Sequence, residues 1–191
     1  MTELYEEEDL KKAVETLREG GVILYPSDTV WGIGADATNN RAVEKIFEIK
    51  KRAAHKSCIV LVSTSKQLLH HIANPLPHLH EILDTFTTPT TIVYPNGINL
   101  ASKLIATDGS VAIRLVKNKF VNAMINRLKK PIVSTSANIS GQEAARFFKE
   151  IDSSIIQQVD YCVRFKQNDT TAHEVSTIYK INEDGKLEKL R

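Results

Sequence analysis

Side chains that can form hydrogen bonds crowd into segment 131–141, PIVSTSANISG. After a short apolar run comes a polar set: Ser134, Thr135, Ser136, Asn138 and Ser140. Small hydroxyls and backbone amides ahead of a helix can bind an anion. The segment lacks the patterns of a Walker A loop and of a nucleophile elbow, so we predict neither a P-loop nor a serine nucleophile. It is either an ordinary turn between a strand and a helix or a site for a charged ligand.

A second polar segment spans residues 25–36, YPSDTVWGIGAD. Ser27 and Thr29 offer hydrogen-bond donors and acceptors, and Asp28 offers a negative charge for an ammonium group or a hydrated cation. Turns favour the same residue types for backbone reasons, so a polar turn is the competing interpretation, with Trp31 packed as a plug. The two glycines of WGIGAD lack the third glycine of a dinucleotide-binding fingerprint.

Basic residues cluster in segment 50–57, KKRAAHKS. The helix dipole stabilises cations at a helix C-terminus, so the cluster could be a solvated helix end. It could also clamp a triphosphate or a nucleic acid, because lysine and arginine bind phosphate oxygens. Residues two apart on a helix point in different directions. If Lys50 and Arg52 bind one ligand, the helix must therefore end between them.

One arginine, Arg114, is embedded in the apolar strand VAIRL. A buried guanidinium needs an anion, which is either a structural carboxylate or the carboxylate of a small ligand. The histidines of segment 70–80 match no familiar zinc spacing, so we predict that they lie on the surface and name no metal ligand. Cys58 and Cys162 lie far apart in apolar runs and are predicted to be buried thiols.

Helices and strands alternate along the chain around these residues. Apolar spacing predicts helices over residues 10–17, 43–50, 65–72, 76–83, 120–128 and 142–150, with Thr38 or Asn39 as a cap. Apolar runs predict strands over 22–25, 58–62, 90–94, 111–115, 132–133, 161–165, 176–181 and 186–190, the last two forming a hairpin. The order predicts an α/β fold with a mixed, twisted sheet flanked by helices.

The composition is that of an ordinary globular chain. Its 191 residues suit a single domain, 1–191 with a core of about 10–190, and its net charge of +2 does not by itself indicate a nucleic-acid partner. The acidic N-terminus has no signal-peptide pattern, and no apolar run reaches the ~20 residues of a membrane helix. We therefore expect a cytoplasmic protein without a membrane partner.

In combination and in order, these segments resemble the YrdC-like family, the threonylcarbamoyl-AMP synthases of tRNA modification. The resemblance extends over residues 10–190 and is most specific in PSDTVWGIGADA and STSANISG. The family's Lys-x-Arg and following Lys correspond to Lys50, Arg52 and Lys56. Its Ser-x-Asn corresponds to Ser136 and Asn138. The likeness is to the short form, with the YrdC-like (DHBP synthase-like) α/β fold.

The resemblance implies a nucleotidyltransferase that joins L-threonine, bicarbonate and ATP, with Mg²⁺, into threonylcarbamoyl-AMP and diphosphate. A downstream threonylcarbamoyl-transferase complex would then modify adenosine 37 of tRNA, and direct tRNA contact fits the same resemblance. The implied catalytic and phosphate-binding residues are Lys50, Arg52 and Lys56. Further nucleotide contacts are implied for Ser136, Asn138 and Ser176. The implied threonine contacts are Thr29, Asp28, Arg114 and Ser134.

The chain departs from the family pattern at several rigid loop positions. Residues other than the usual proline or glycine stand at Ala53, Thr87, Thr88, Val116 and Val175. A catalytically silent member of the family is therefore one alternative. Another is an RNA-binding module without synthase activity, although an aromatic content of 6% offers few stacking platforms. A carbamoyl-transfer role, as in larger hydrogenase-maturation proteins, would need fused domains.

Overall fold

Four of the six described helices begin at a residue whose side chain caps a free backbone amide. The computed structural model describes residues 5–51, 58–171, 175–182 and 184–191. The described helices are α1 (Glu7–Arg18), α2 (Asn40–Ile49), α3 (Ser65–Leu69), α4 (Leu79–Asp84), α5 (Lys119–Leu128) and α6 (Ser153–Gln158). The cap of α2 is Asn39, whose side chain accepts hydrogen bonds from the backbone of Arg41 and Ala42.

One mixed β-sheet contains every strand of the described residues. These are β1 (Ile23–Pro26), β2 (Trp31–Asp36), β3 (Ile59–Val62), β4 (Thr90–Tyr94), β5 (Val111–Leu115), β6 (Ile132–Ser136), β7 (Tyr161–Cys162), β8 (Thr177–Ile181) and β9 (Leu187–Lys189). Their order across the sheet is β7-β1-β2-β6-β3-β5-β4-β8-β9. The pairs β1–β7, β3–β5 and β4–β8 are parallel and the others are antiparallel. The predicted mixed α/β fold is confirmed.

The two faces of the sheet are covered differently. Directly paired residues point to the same face, so the register places Tyr25, Gly32 and Ser136 together on one face. Ser134 and Arg114 point to that face as well. Helices α1 and α5 cover one part of this face, whereas α2, α3 and α4 pack against the opposite face. The remainder of the first face lines a cavity.

The segment WGIGAD forms a strand, β2, rather than part of a polar turn. All its residues are buried, and it pairs with β1 on one side and β6 on the other. Trp31, Ile33 and Ala35 alternate with Gly32, Gly34 and Asp36, as in a strand. The two glycines are also typical of turns, and the segment has no run of β-branched residues, so the strand was missed.

The segment after β6 is irregular where the sequence predicts a helix over residues 142–150. The described backbone there contains a single 3₁₀ turn, Phe148–Glu150. The helix that follows is α6, which begins after Asp152, whose carboxylate accepts from the backbone of Ser154. The helix predicted from the apolar spacing of 142–150 is therefore wrong. Phe148 lies in the 3₁₀ turn and packs against Trp31.

Other boundaries also differ from the predictions. Helix α3 ends before residue 72, and α4 begins after residue 76 because Pro75 and Pro77 disfavour helical backbone there. Strand β7 is shorter than predicted, and β6 continues beyond Val133 to Ser136. The hairpin of β8 and β9 is confirmed. Within the part of the chain described, no helix is long and apolar enough to cross a membrane.

Candidate functional site

A cavity of about 470 Å³ opens on the sheet face that α1 and α5 leave uncovered. Its polar lining consists of Ser27, Thr29, Thr91, Arg114, Ser134, Thr135, Ser136, Ser176 and Arg191. Five of the residues predicted for a site therefore line one space: Thr29, Arg114, Ser134, Ser136 and Ser176. They come from four separate stretches of sequence, and the sheet register unites them.

Arg114 forms an ion pair with Asp28 inside the protein. Its Nη2 lies 3.2 Å from Oδ1 of Asp28, and only 3% of its side chain is exposed. The alignment is poor, because Oδ1 of Asp28 and Nε of Arg114 have no hydrogen-bond partner among the described residues. The structural ion pair considered from the sequence thus exists, and it leaves donor capacity on the guanidinium for a second anion.

The turn between β1 and β2 is closed by its own hydroxyls. Ser27 donates to the carbonyl of Val30 at 2.6 Å and accepts from the backbone amide of Thr29 at 3.1 Å. Because the hydrogen of Ser27 is used in this way, Thr29 is the donor in the 3.0 Å contact between the two hydroxyls. The oxygen of Thr29 also lies 3.5 Å from Nη1 of Arg114. The turn therefore fixes Thr29 beside the guanidinium.

Lys50 is buried behind the cavity and holds the loop after β6. Its ammonium donates to the carbonyl of Ser136, to the carbonyl of Asn138 at 2.6 Å and to the Asn138 side chain at 3.3 Å. The hydroxyl of Ser136 donates to the same side-chain oxygen at 2.5 Å. Helix α2 ends at Ile49, and Lys50 is its C-cap residue. Arg52 and Lys56 lie outside the described residues.

Ser176 and the chain terminus meet at another wall of the cavity. The hydroxyls of Thr91 and Ser176 are 3.1 Å apart. The guanidinium of Arg191 donates to the carbonyl of Ser176, at 2.9 Å from Nη2 and 3.3 Å from Nε. Sequence reasoning missed Arg191, because a single arginine after a strand carries no local signal. The one available signal was its position at the end of the predicted hairpin strand that follows Ser176.

The structure also places the tryptophan, the histidines and the cysteines for which the sequence made predictions. Trp31 lines the cavity, with its ring centroid 4.9 Å from that of Phe148. The surface prediction is wrong for His71, which is buried; burial lowers the pKa of this histidine and favours its neutral form. Cys58 is buried as predicted, whereas Cys162 is partly exposed. Among the described residues, no group of three or more His, Cys, Asp and Glu could hold a metal ion.

Comparison with known families identifies the family of this chain. The sequence profile of Sua5/YciO/YrdC, described as telomere recombination, matches residues 15–191. The chain belongs to the Sua5/YciO/YrdC family. Its similarity thus spans every segment that contributes to the cavity.

Two relatives named threonylcarbamoyl-AMP synthase illustrate the sequence similarity. The protein of Pseudoalteromonas translucida is 32% identical over 154 residues, which cover 79% of this chain and 82% of the relative. The protein of Saccharophagus degradans is 36% identical over 138 residues, or 72% of each chain. The similarity therefore extends over most of both relatives.

Solved structures of the family have the same fold. Sua5 of P. abyssi in complex with L-threonine superposes with a TM-score of 0.81 at 25% identity, over 97% of this chain. This chain spans about half of that protein, 54% of its length. E. coli YciO superposes with a TM-score of 0.81 over 97% of this chain and 89% of its own length. At 21% identity, YciO supports the fold alone.

Proposed function

We propose that this protein is an L-threonylcarbamoyladenylate synthase, a nucleotidyltransferase. The observation that carries the proposal is the cavity in which Arg114, Thr29 and Ser134 share one space with Ser136 and Ser176. The first group suits an amino acid carboxylate and its polar side chain, and the second suits phosphate oxygens. Relatives over 30% identical that carry this enzyme name support the same activity.

The chemistry needs no protein nucleophile. The amine of L-threonine attacks the carbon of bicarbonate, and loss of water leaves a carbamate. A carbamate oxygen then attacks the α-phosphorus of ATP, and the bond from that phosphorus to the oxygen of the β-phosphate breaks. The products are threonylcarbamoyl-AMP, diphosphate and water. The protein must bring anions together, neutralise the charge that develops on the phosphates and keep water away from the carbamate.

The residues that line or adjoin the cavity divide between the two substrates. Arg114 would bind the carboxylate of threonine, with Thr29 and Ser134 as further contacts and Asp28 oriented towards the ammonium group. Lys50 would act on the nucleotide indirectly, because it holds the backbone of Ser136. The remaining nucleotide contacts assigned by the resemblance are Asn138, Ser176, Arg52 and Lys56, and we add Arg191 because it lines the cavity.

Magnesium fits this site as an ion that arrives with ATP. The described lining offers hydroxyls and arginines rather than a carboxylate cluster, which suits a cation ligated mainly by phosphate oxygens and water. When bound, it would neutralise charge on the transferring and leaving phosphates. Ser136 and Ser176 are the lining residues that the proposal assigns to the nucleotide, and their hydroxyls would bind its phosphate oxygens.

The decisive experiment measures release of labelled diphosphate from ATP. We expect turnover that requires L-threonine, bicarbonate and Mg²⁺ together, and that stops when a chelator removes the metal. Diphosphate release that continues without threonine would contradict the synthase. Salt-sensitive RNA binding in the absence of any diphosphate release would favour the RNA-binding alternative. A positive result would place the protein upstream of a partner that transfers the threonylcarbamoyl group to adenosine 37 of tRNA.

A further inference from the structure

Tyr25 contacts Ser134, a residue of the cavity wall, from inside the protein. Its side chain is fully buried, and its hydroxyl donates a hydrogen bond to Oγ of Ser134 at 2.7 Å. Tyr25 is on β1 and Ser134 is on β6, with β2 between them. Neighbouring strands lie about 4.8 Å apart, so the tyrosine ring must pass over β2 to reach this serine.

The glycines of β2 make this crossing feasible. A Cβ atom on Gly34 would lie 2.6 Å from Cε1 of Tyr25, closer than real side-chain contacts allow. A Cβ atom on Gly32 would lie 3.1 Å from Oγ of Ser134 and 3.3 Å from Cζ of Tyr25. The two glycines therefore leave the space through which Tyr25 reaches Ser134. This explains the GxG pattern without a dinucleotide.

The direction of the hydrogen bond determines what Ser134 can do in the cavity. A serine hydroxyl has one hydrogen and two acceptor positions, and Tyr25 occupies one acceptor position. The hydrogen of Ser134 is then available to an acceptor in the cavity that this serine lines together with Arg114. Burial raises the pKa of Tyr25 to about 12, so the phenol remains a donor throughout the physiological range.

We propose that Tyr25 is a positioning residue for the amino-acid substrate, which fixes Ser134 as a hydrogen-bond donor to the carboxylate bound by Arg114. The inference rests on the proposed synthase function, because it assigns that carboxylate to L-threonine. Tyr25 does not touch the substrate. Its effect passes through one hydroxyl, so it should alter recognition of threonine and leave recognition of ATP unchanged.

The test is a double-mutant cycle on Tyr25→Phe and Ser134→Ala, with steady-state diphosphate release as the assay. Tyr25→Phe keeps the ring and deletes the donor. We expect the KM for L-threonine to rise about three- to ten-fold, the usual effect of one lost hydrogen bond, with the KM for ATP unchanged. In the Ser134→Ala background, Tyr25→Phe should add nothing, because its partner is already absent.

Tyr94→Phe is the matched control, since Tyr94 is buried but its hydroxyl has no hydrogen-bond partner among the described residues. It should leave both KM values unchanged. Gly32→Ala crowds the same pair without deleting either hydroxyl, and should raise the threonine KM even if Tyr25→Phe folds poorly. An unchanged threonine KM in folded Tyr25→Phe, or equal effects of that change with and without Ser134, would overturn the proposal. A wild-type protein without threonine-dependent turnover would instead overturn the synthase function, and this inference with it.

Discussion

The guanidinium of Arg114 lies 3.2 Å from the carboxylate of Asp28 and is almost completely buried. This pair joins the turn between β1 and β2 to the end of β5, and Arg114 also lines the large cavity. Asp28 in turn lines a second cavity of about 220 Å³. The guanidinium is imperfectly aligned with Asp28, so it keeps donor capacity for a second anion.

Replacing Arg114 by glutamine should lower both stability and activity, and a second substitution should restore only the stability. It leaves the Asp28 carboxylate without its cation, and breaking a mostly buried pair costs about 3 kcal/mol. The double variant Asp28→Asn/Arg114→Gln removes both charges and should recover much of the free energy of unfolding, measured by denaturant titration. Neither variant should turn over threonine. A double variant as unstable as Arg114→Gln alone would argue against the pair as the source of the loss.

Replacing Arg52 by alanine should reduce turnover by on the order of 10²-fold or more, because a cation that neutralises phosphate charge in the transition state is lost. The assay is diphosphate release at saturating substrates. Lys51→Ala is the matched control, since Lys51 is a neighbouring basic residue that is exposed and has no assigned role. Undiminished turnover in Arg52→Ala would contradict the assignment.

Replacing Lys50 by methionine should lower both stability and activity. The change leaves the carbonyls of Ser136 and Asn138 without their charged donor, a loss of about 2–3 kcal/mol. We expect a lower denaturant midpoint and weaker binding of a non-hydrolysable ATP analogue, because the loop loses its anchor. Lys51→Met controls for charge alone. A variant with normal stability but no turnover would instead indicate direct action on the phosphates.

Replacing Gly34 by alanine should destabilise the protein by about 1–3 kcal/mol through overpacking. The new Cβ would lie 2.6 Å from the ring of Tyr25 and 3.0 Å from the carbonyl of Val133. Thermal unfolding measures the effect. In a Tyr25→Leu background the same substitution should cost less, since the ring atom is gone. An equal cost in both backgrounds would show that the ring is not the obstacle.

Alkaline pH should destabilise the fold through its buried tyrosines. Burial raises the pKa of Tyr25 from 10.0 to about 12 and also raises the pKa of Tyr94; partial burial and the hydrogen bond to Asp9 raise the pKa of Tyr161. The unfolded chain therefore releases these protons first. The stabilising contribution of Tyr25 is complete below pH 10.0 and is lost as the pH rises towards about 12.

Near-ultraviolet absorbance of tyrosinate, followed together with circular dichroism, measures this loss. The two signals should change together for the buried tyrosines, and Tyr25→Phe should reduce the alkaline loss of stability. Ionisation of every tyrosine near pH 10 in a protein that remains folded would be incompatible with their burial.

Local patterns identified much of the fold because they reflect local physics. Helical spacing predicted α1, α2 and α5, and the cap at Asn39 follows from its ability to satisfy the first free amides. They failed at β2, where glycines selected for close packing resemble turn residues. They also failed over 142–150, where apolar spacing in a loop imitates a helix.

The sequence by itself determined the chemical types in the site: hydroxyls at Thr29, Ser134 and Ser136, a buried arginine at 114, and the family to which they belong. Only the tertiary structure decided their partners. Asp28 meets Arg114, Tyr25 reaches Ser134, and Arg191 holds the carbonyl of Ser176. The first two contacts join segments distant in the chain, and the third joins the two sides of the β8–β9 hairpin, so all three depend on strand order or register. The free energy that fixes register comes from burying whole faces of the sheet, which no local window of sequence contains.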